Sequence, residues 1–494
     1  ARKTPNVFNI QTPVAIAIGV RYGESQTDMP ARVYYARVDA DTREDKLYKV
    51  GRIGAFADLN WQMAFDGWMQ PFLPAVQGAY FDWPLLADVF PWQHSGAQFK
   101  RSWPIGETEA VLSARWGTLI GGDVEDRKRW FRESRDRKVE KRYPMLWAGQ
   151  DQTPIVNLEP NAPMPDMRRY GYRSFDRQWC LADGRLGDYL RADLWATLSE
   201  RQVFLTSLLS GVLGLGPAMT VTACIPDMDH FRGSFGAKHA IPLWRDTEAT
   251  QPNVTVGLLE FLSKAYGCVV AAEDLFAYAY AIFATPRYVD SFSEELTVPG
   301  PRLPLTLSPE LFAEAVLIGR KLIWWHTYGE RFVPVNTKGG QVPKGAAVLD
   351  KAIPGTQEGY PEDFAYDPAT RELRVGAGVI VNVAPEIFDF SVSGLEVVKS
   401  WLAYRMKNGA GKKSSSLDDI RPERWTQAMS QELMQLLWLL EHTLAEYPKL
   451  ADLLDRIVAG PLFAASDLPY PDDIQRKPQG RDEDDTEAIQ PLLV

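Results

Sequence analysis

In the segment TPVAIAIGV, Val14, Ile16, Ile18 and Val20 alternate with small residues, the two-residue period of a strand, and ARVYYARV repeats the pattern after a polar link. From about 61 to 165 the chain is rich in Trp and Pro, and its patterning predicts helices, one of them running through 127–143 and stopping ahead of Pro144. The loop NLEPNAPMPD closes this region and is its best internal boundary. Between 166 and about 400, strand patterns (YGYRSFDRQWCL, AMTVTACIP, HAIPLW, RELRVG) mix with helical ones (TVGLLEFLSKAYG, AEDLFAYAYAIFATP, SPELFAEAVLIGRKLIWWHTYG). The stretch 422–460 is helical, with Leu433, Leu436, Leu437 and Leu440 on one face. From about 467 the chain is rich in Pro and acids, a composition that predicts disorder. No internal repeat is found. The expected fold class is α+β, with mixed short-stranded sheets, many helices and a helical C-terminal segment, in several domains: 1–60, 61–165, 166–400, 401–465 and an acidic tail 466–494.

Composition narrows the class. Of 494 residues, 45% are hydrophobic and 24% charged, ordinary values for a globular chain with a sizeable core. Three separated cysteines, Cys180, Cys224 and Cys268, form no metal-ligand spacing and no disulfide framework, which favours a reducing cytoplasm. The uncharged run 203–226 is long enough for a membrane span, but Gly211, Gly214, Gly216 and Pro217 break it, so no membrane association is expected. The chain opens at Ala1 in mid-pattern, as a piece of something longer would.

Motifs for a nucleophile, a metal or a phosphate loop are missing: there is no GxSxG, HExxH or GxxxxGK[ST]. GVLGLG at 211–216 imitates a nucleotide loop without a strand before it, and DLPY at 467–470 is a near miss for the loop that grips a flipped adenine. What stands out is basic. RKRWFRESRDRKVEKRYP (127–144) sits in a chain of net charge -10, either as a polyanion contact or as a solvated helix laced with its own ion pairs. Drawn as a helix, it places Lys128, Arg132, Arg135 and Arg142 in one stripe, with Arg129–Glu133 and Arg132–Asp136 able to pair beside it.

Three further stretches mix cations with aromatics or small residues. YGYRSFDRQW carries Tyr172, Arg173 and Arg177, suited to base-edge and phosphate contact, or else Asp176 pairs with an arginine under a core Trp. HFRGSFGAKH offers Arg232, Ser234 and Lys238 on a groove wall or in a plain tight turn, and RMKNGAGKKSSS offers Lys412 and Lys413 to phosphate or to solvent.

Four stretches together resemble the C-terminal part of type ISP restriction-modification enzymes and adenine-specific DNA methyltransferases. They are NVFNIQTPVAIAIGV with ARVYYARVD, similar to the last strands of the methyltransferase domain; SGAQFKRSWPI with FRESRDRKV, which adds Lys100 and Arg101; YGYRSFDRQW with DHFRGSFGAKHAIPLW; and VAPEIFDFSVSGLEVVKSWLAYRM with LDDIRP. The resemblance implies a sequence-recognition part for double-stranded DNA, in a phage-defence methyltransferase acting on adenine N6. The family's catalytic loop and S-adenosylmethionine motif would lie upstream of NVFNI, so the catalytic domain is an expected partner and S-adenosylmethionine is expected in the parent only. This chain is expected to hold no cofactor, no metal and no catalytic residue. The rival classes are a carbohydrate-active hydrolase, suggested by 16 Trp and many carboxylates, and a protein-interaction scaffold.

Overall fold

The computed structural model describes residues 7, 15–24, 28–38, 40, 42–64, 79–209, 212–233 and 239–478. The chain falls into two compact units, Ala1–Phe81 and Asp82–Val494.

In the first unit, helix Arg43–Gly51 is started by Thr42, whose hydroxyl accepts from the Asp45 amide at 3.1 Å. Strand Tyr34–Tyr35 pairs antiparallel with Gln62–Met63. Residues 15–20, expected as a strand, are not in one. The reason is the absence of a neighbour: a strand is held by ladder bonds, and no described residue pairs with this segment. Its apolar face is left in solvent, with Ile16 82% and Val20 68% exposed. Among the described residues from 15 to 64, only Ala64 is buried.

The second unit is α+β. One four-stranded sheet has the order Ile105–Gly106, Asp176–Leu181, Met167–Arg173, Ile225–Pro226, the last pair parallel. A second, antiparallel throughout, has the order His94–Ser95, His239–Pro242, Phe204–Ser207, Thr220–Thr222. The chain crosses between them through Ala223 and Cys224. A third, Val348–Lys351, Gly378–Val381, Glu372–Val375, Phe364–Asp367, is built from hairpins. Segment 203–226 thus supplies strands to two sheets, and among the described residues no helix is long and apolar enough to cross a membrane.

The amphipathic patterns are realised as helices Leu258–Tyr266, Ala272–Phe283, Pro309–His326 and Gln427–Ala459. Ala272–Phe283 and Pro309–His326 approach so closely that a Cβ on Gly319 would lie 1.9 Å from the Ala277 carbonyl oxygen. The long helix buries Leu433, Leu436, Leu437 and Leu440. Each such leucine contributes about 1.5–3 kcal/mol relative to exposure.

Three local expectations need correction. YGYRSFDRQWCL is a hairpin, not one strand: Phe175 turns it at φ 62°, although phenylalanine does not favour the left-handed region. Tertiary contacts impose the turn, because the Ser174 hydroxyl bonds the Phe231 carbonyl at 2.9 Å and Tyr328 donates to the Phe175 carbonyl at 2.6 Å. The basic helix is Val124–Phe131 and stops there. Its end is capped from outside: Trp103 Nε1 donates to the Phe131 carbonyl at 3.1 Å and Arg101 Nε to that of Arg132 at 3.1 Å, with Arg132 in the left-handed region at φ 57°. Residues 466–478 of the tail, expected to be disordered, pack against the rest of the second unit. Arg476 reaches Asp88 at 2.6 Å and Arg245 donates to the Gln475 carbonyl at 2.7 Å, contacts that composition does not foretell. DLPY lies in this bound strap, with Tyr470 exposed, and residues 479–494 lie outside the described ones.

Candidate nucleic-acid interface

Three basic segments remote in sequence meet on one face of the second unit. Lys100 and Arg101 are joined to the 127–144 run through the Arg101 guanidinium. It lies buried over the Phe131 ring at 4.4 Å and donates to Asp188 at 2.7 Å, the Ser134 hydroxyl at 3.2 Å and the Arg132 carbonyl. Arg101 is therefore a bracket beneath the surface and does not offer its charge outward.

The loop 405–416 joins from the other side. Asp418 accepts from the Ser414 amide at 2.6 Å and from the Ser102 hydroxyl at 3.0 Å, and Ser102 also reaches the Lys412 carbonyl at 3.1 Å. Arg132 Nη1 donates to the Ser414 carbonyl at 3.1 Å. The loop is thus pinned beside residues 100–102 and 132, not free in solvent. Lys412 and Lys413 are exposed there; Lys413 pairs with Asp419 at 2.5 Å, and Lys412 has no ion-pair partner among the described residues.

Arg135 is 81% exposed at the same face and chelates Asp136 at 2.8 Å and 3.3 Å. Hydrogen bonds from Arg135 and from the Tyr189 hydroxyl hold the Asp136 carboxyl down at about 2. Lys100 sits 3.9 Å from both Asp136 and Asp188 and 4.7 Å over the Tyr189 ring. Lys100, Arg132 and Arg191 all take positive φ, at 55°, 57° and 60°. Left-handed backbone is costly for such side chains and is retained where the surroundings demand it.

The remaining residues of the run are placed differently. Lys128 pairs with Glu140 at 2.8 Å and Arg142 is exposed without an ion pair among the described residues. The expected pairs Arg129–Glu133 and Arg132–Asp136 do not form; Arg129 reaches Asp126, and Glu133 takes Lys138 at 3.2 Å. Buried Arg127 donates to the Leu158 carbonyl at 2.7 Å, and buried Arg137 to that of Gly184 at 3.2 Å.

The hairpin arginines, expected at base edges and phosphates or in a structural ion pair, turn inward onto carboxylates and aromatic rings. Arg173 pairs with Asp227 at 3.0 Å and stacks on Tyr172 at 4.0 Å, while Tyr172 meets Tyr404 edge-on at 5.0 Å. Arg177 lies over Tyr328 at 3.8 Å, bonded to Glu330 and 3.3 Å from Glu432. Asp176 pairs with buried Arg405 at 2.7 Å, and Arg405 stacks on Trp401 at 3.8 Å, the structural pair under a core Trp that was the alternative for this stretch. Arg232 is half-buried, and Ser234 and Lys238 lie outside the described residues.

Burial also neutralises two histidines here, pushing His230 and His326 down to about 3. Thr443 donates its hydroxyl proton to the Leu439 carbonyl, so His326 Nε2 must donate to Thr443 at 2.7 Å and its Nδ1 accept from Tyr280 at 2.5 Å. Among the described residues no cluster of His, Cys, Asp and Glu is placed to hold a metal. Nor does the glycine decoy fit a nucleotide-type cofactor. The Gly214 amide donates to Ser393 Oγ at 2.9 Å and a Cβ on Gly216 would lie 2.6 Å from the Ser391 carbonyl oxygen, so these glycines serve backbone packing.

Asp188, Tyr189 and Ser102, which help organise the basic face, carry no local signal in the sequence, and Asp136 carries one only as a partner for Arg132. Only contacts across 50 or more positions, such as Tyr189 with Asp136 over 53, reveal them.

No curated protein matches the chain. Among solved structures, it is similar to the ATP-dependent Type ISP restriction-modification enzyme LlaBIII bound to DNA, with TM-score 0.58 and 13% identity over 88% of this chain and 28% of that one. A DrdV–DNA complex gives 0.53 and 16% over 85% and 43%, and a nuclease-deletion mutant of the Type ISP enzyme LlaGI with a DNA substrate mimic gives 0.50 and 14% over 84% and 32%. The chain spans less than half the length of each. At these identities the likeness is one of fold. A family model described as the Type ISP C-terminal specificity domain matches residues 88–436, well over half of the chain, and the chain therefore belongs to that family.

Proposed function

We propose that the second unit is a target-recognition module for double-stranded DNA, holding the duplex by its phosphates while a catalytic domain elsewhere in the parent enzyme methylates adenine N6. The observation that carries this is the convergence of exposed Lys100, Arg132, Arg135, Lys412 and Lys413, from three remote segments, on one face of a chain whose net charge is -10. Stability does not explain it, since exposed ion pairs contribute only about 0–1 kcal/mol each. Cations held apart on a rigid support are what phosphate positioning requires. The Type ISP relatives are DNA-bound in their structures, which supports the same reading.

S-adenosylmethionine belongs, on this proposal, to the catalytic domain. The first unit packs against that domain through the side chains it leaves in solvent, Ile16, Ile18, Val20, Tyr22 and Trp61 among them. This chain alone is expected to transfer no label from S-adenosylmethionine to any DNA, and incorporation by a pure preparation would contradict the assignment. For the interface, the triple variant Arg132→Gln, Arg135→Gln, Lys412→Gln is expected to weaken binding to all duplexes alike. The slope of log affinity against log salt should fall by about 0.9 per lost phosphate contact. A folded triple variant with the wild-type slope would exclude this face.

A further inference from the structure

At the centre of the basic face one carboxylate occupies a donor set that suits something else. Asp136 receives Arg135 Nε at 2.8 Å and Nη2 at 3.3 Å, the Tyr189 hydroxyl at 2.8 Å, and Lys100 Nζ at 3.9 Å. A bidentate guanidinium, a phenol and an ammonium around two oxygens are the partners that the two non-bridging oxygens of a phosphodiester take.

The set is rigid where it needs to be and loose where it can open. Tyr189 is fixed by a pair of backbone hydrogen bonds with Gln98, at 2.7 Å and 3.0 Å, and by Lys100 over its ring. Beneath it Asp188, with no exposed side-chain surface, ties down Arg101 and Lys100. Arg135, by contrast, projects into solvent and among the described residues is held at its tip by Asp136 and by Tyr189 at 3.4 Å. An exposed pair of this kind is weak and opens readily. Asp136 is 23% exposed at its side chain, so an incoming anion can reach the same donors.

The geometry points to Asp136 as a built-in competitor of phosphate: in the free protein it occupies the Arg135–Tyr189–Lys100 donors, and a backbone phosphate of the duplex displaces it. This rests on the DNA-binding reading above and adds a regulator to it. The carboxylate lowers affinity for every duplex, so that phosphate contact alone does not retain the protein on non-target DNA.

The test is a double-mutant cycle on the full chain, read by equilibrium binding to a target-free duplex at fixed salt. Asp136→Asn is expected to bind about two- to fivefold tighter than wild type, the factor that release of one exposed pair supplies. In an Arg135→Gln background the same change should tighten binding less, because only the Tyr189 and Lys100 donors remain to be freed. Equal tightening in both backgrounds would reduce Asp136 to bulk charge and overturn the proposal, as would unchanged or weaker binding by Asp136→Asn. Asp136→Ser, which keeps a small polar group, repeats the measurement if the Asn variant does not fold. Wild type failing to bind any duplex would remove the DNA reading itself; wild type binding with no Asp136 effect removes only the competitor.

Discussion

Residues 127–144 and 170–179 look alike on paper, each interleaving arginines with aromatics, yet the fold uses them in opposite ways. The hairpin arginines are drawn inside. Arg173 and Arg177, with Arg405 from a distant helix, are balanced by Asp227, Asp176, Glu330 and Glu432 and stacked on Tyr172, Tyr328 and Trp401. The 127–144 run splits: Arg127 and Arg137 are buried on backbone carbonyls, and Arg132, Arg135 and Arg142 stay outside. Interleaving therefore says that arginine planes will stack, not where. What separates the two is the supply of enclosed carboxylates: the hairpin has its own buried Asp176 and half-buried Asp227, Glu330 and Glu432 from other elements, and the outer residues of the run have no such set.

The largest expected effect comes from breaking the inner network. Arg405→Met leaves buried Asp176 without its arginine and is expected to cost about 3–5 kcal/mol in urea unfolding. Adding Asp176→Leu should recover much of the loss, because an apolar replacement of the whole pair removes the stranded charge. A midpoint unmoved by Arg405→Met would refute the anchoring role of this network.

Acid should weaken the same interior next. His230 and His326 titrate near 3 when folded and near 6.5 when unfolded, so below pH 6.5 the unfolded chain binds protons that the folded one refuses. Stability is then lost progressively from pH 6.5 down toward 3. At pH 5 each histidine accounts for about 2 kcal/mol. His326→Gln, which keeps a donor and an acceptor, should flatten the pH dependence of the unfolding midpoint, and an unchanged profile would count against a neutral buried imidazole.

The smallest effect on folding belongs to the outer face. The Arg132, Arg135, Lys412 triple variant should unfold close to the wild-type midpoint, losing about 1 kcal/mol at most with the Arg132 bond to the Ser414 carbonyl, while its DNA salt slope falls, the reverse of Arg405→Met. A variant set in which both faces respond alike would erase the distinction between them.

Much of the architecture was legible before any coordinates. The helices at Ala272–Phe283, Pro309–His326 and Gln427–Ala459 follow from their apolar period, and the short strands at Thr220–Thr222, His239–Pro242 and Glu372–Val375 from theirs. Two elements misled for one reason. The strand pattern at 15–20 finds no partner among the described residues, and the helical pattern beyond Phe131 is overridden by Arg101 and Trp103 taking its terminal carbonyls. Local propensity proposes an element, and remote contacts decide whether it is kept.

By itself, then, the sequence determined the α+β class, most of the helices, the family resemblance and the presence of an unusual number of clustered cations, because periodicity and composition act over a few residues. Only the tertiary structure decided which cations carry their charge to solvent. Asp176 meets Arg405 across 229 positions and Arg132 meets the Ser414 carbonyl across 282, and at such separations neither spacing nor propensity carries information. A charge is assigned its role by the dielectric and the partners around it, and those exist only once the chain has closed.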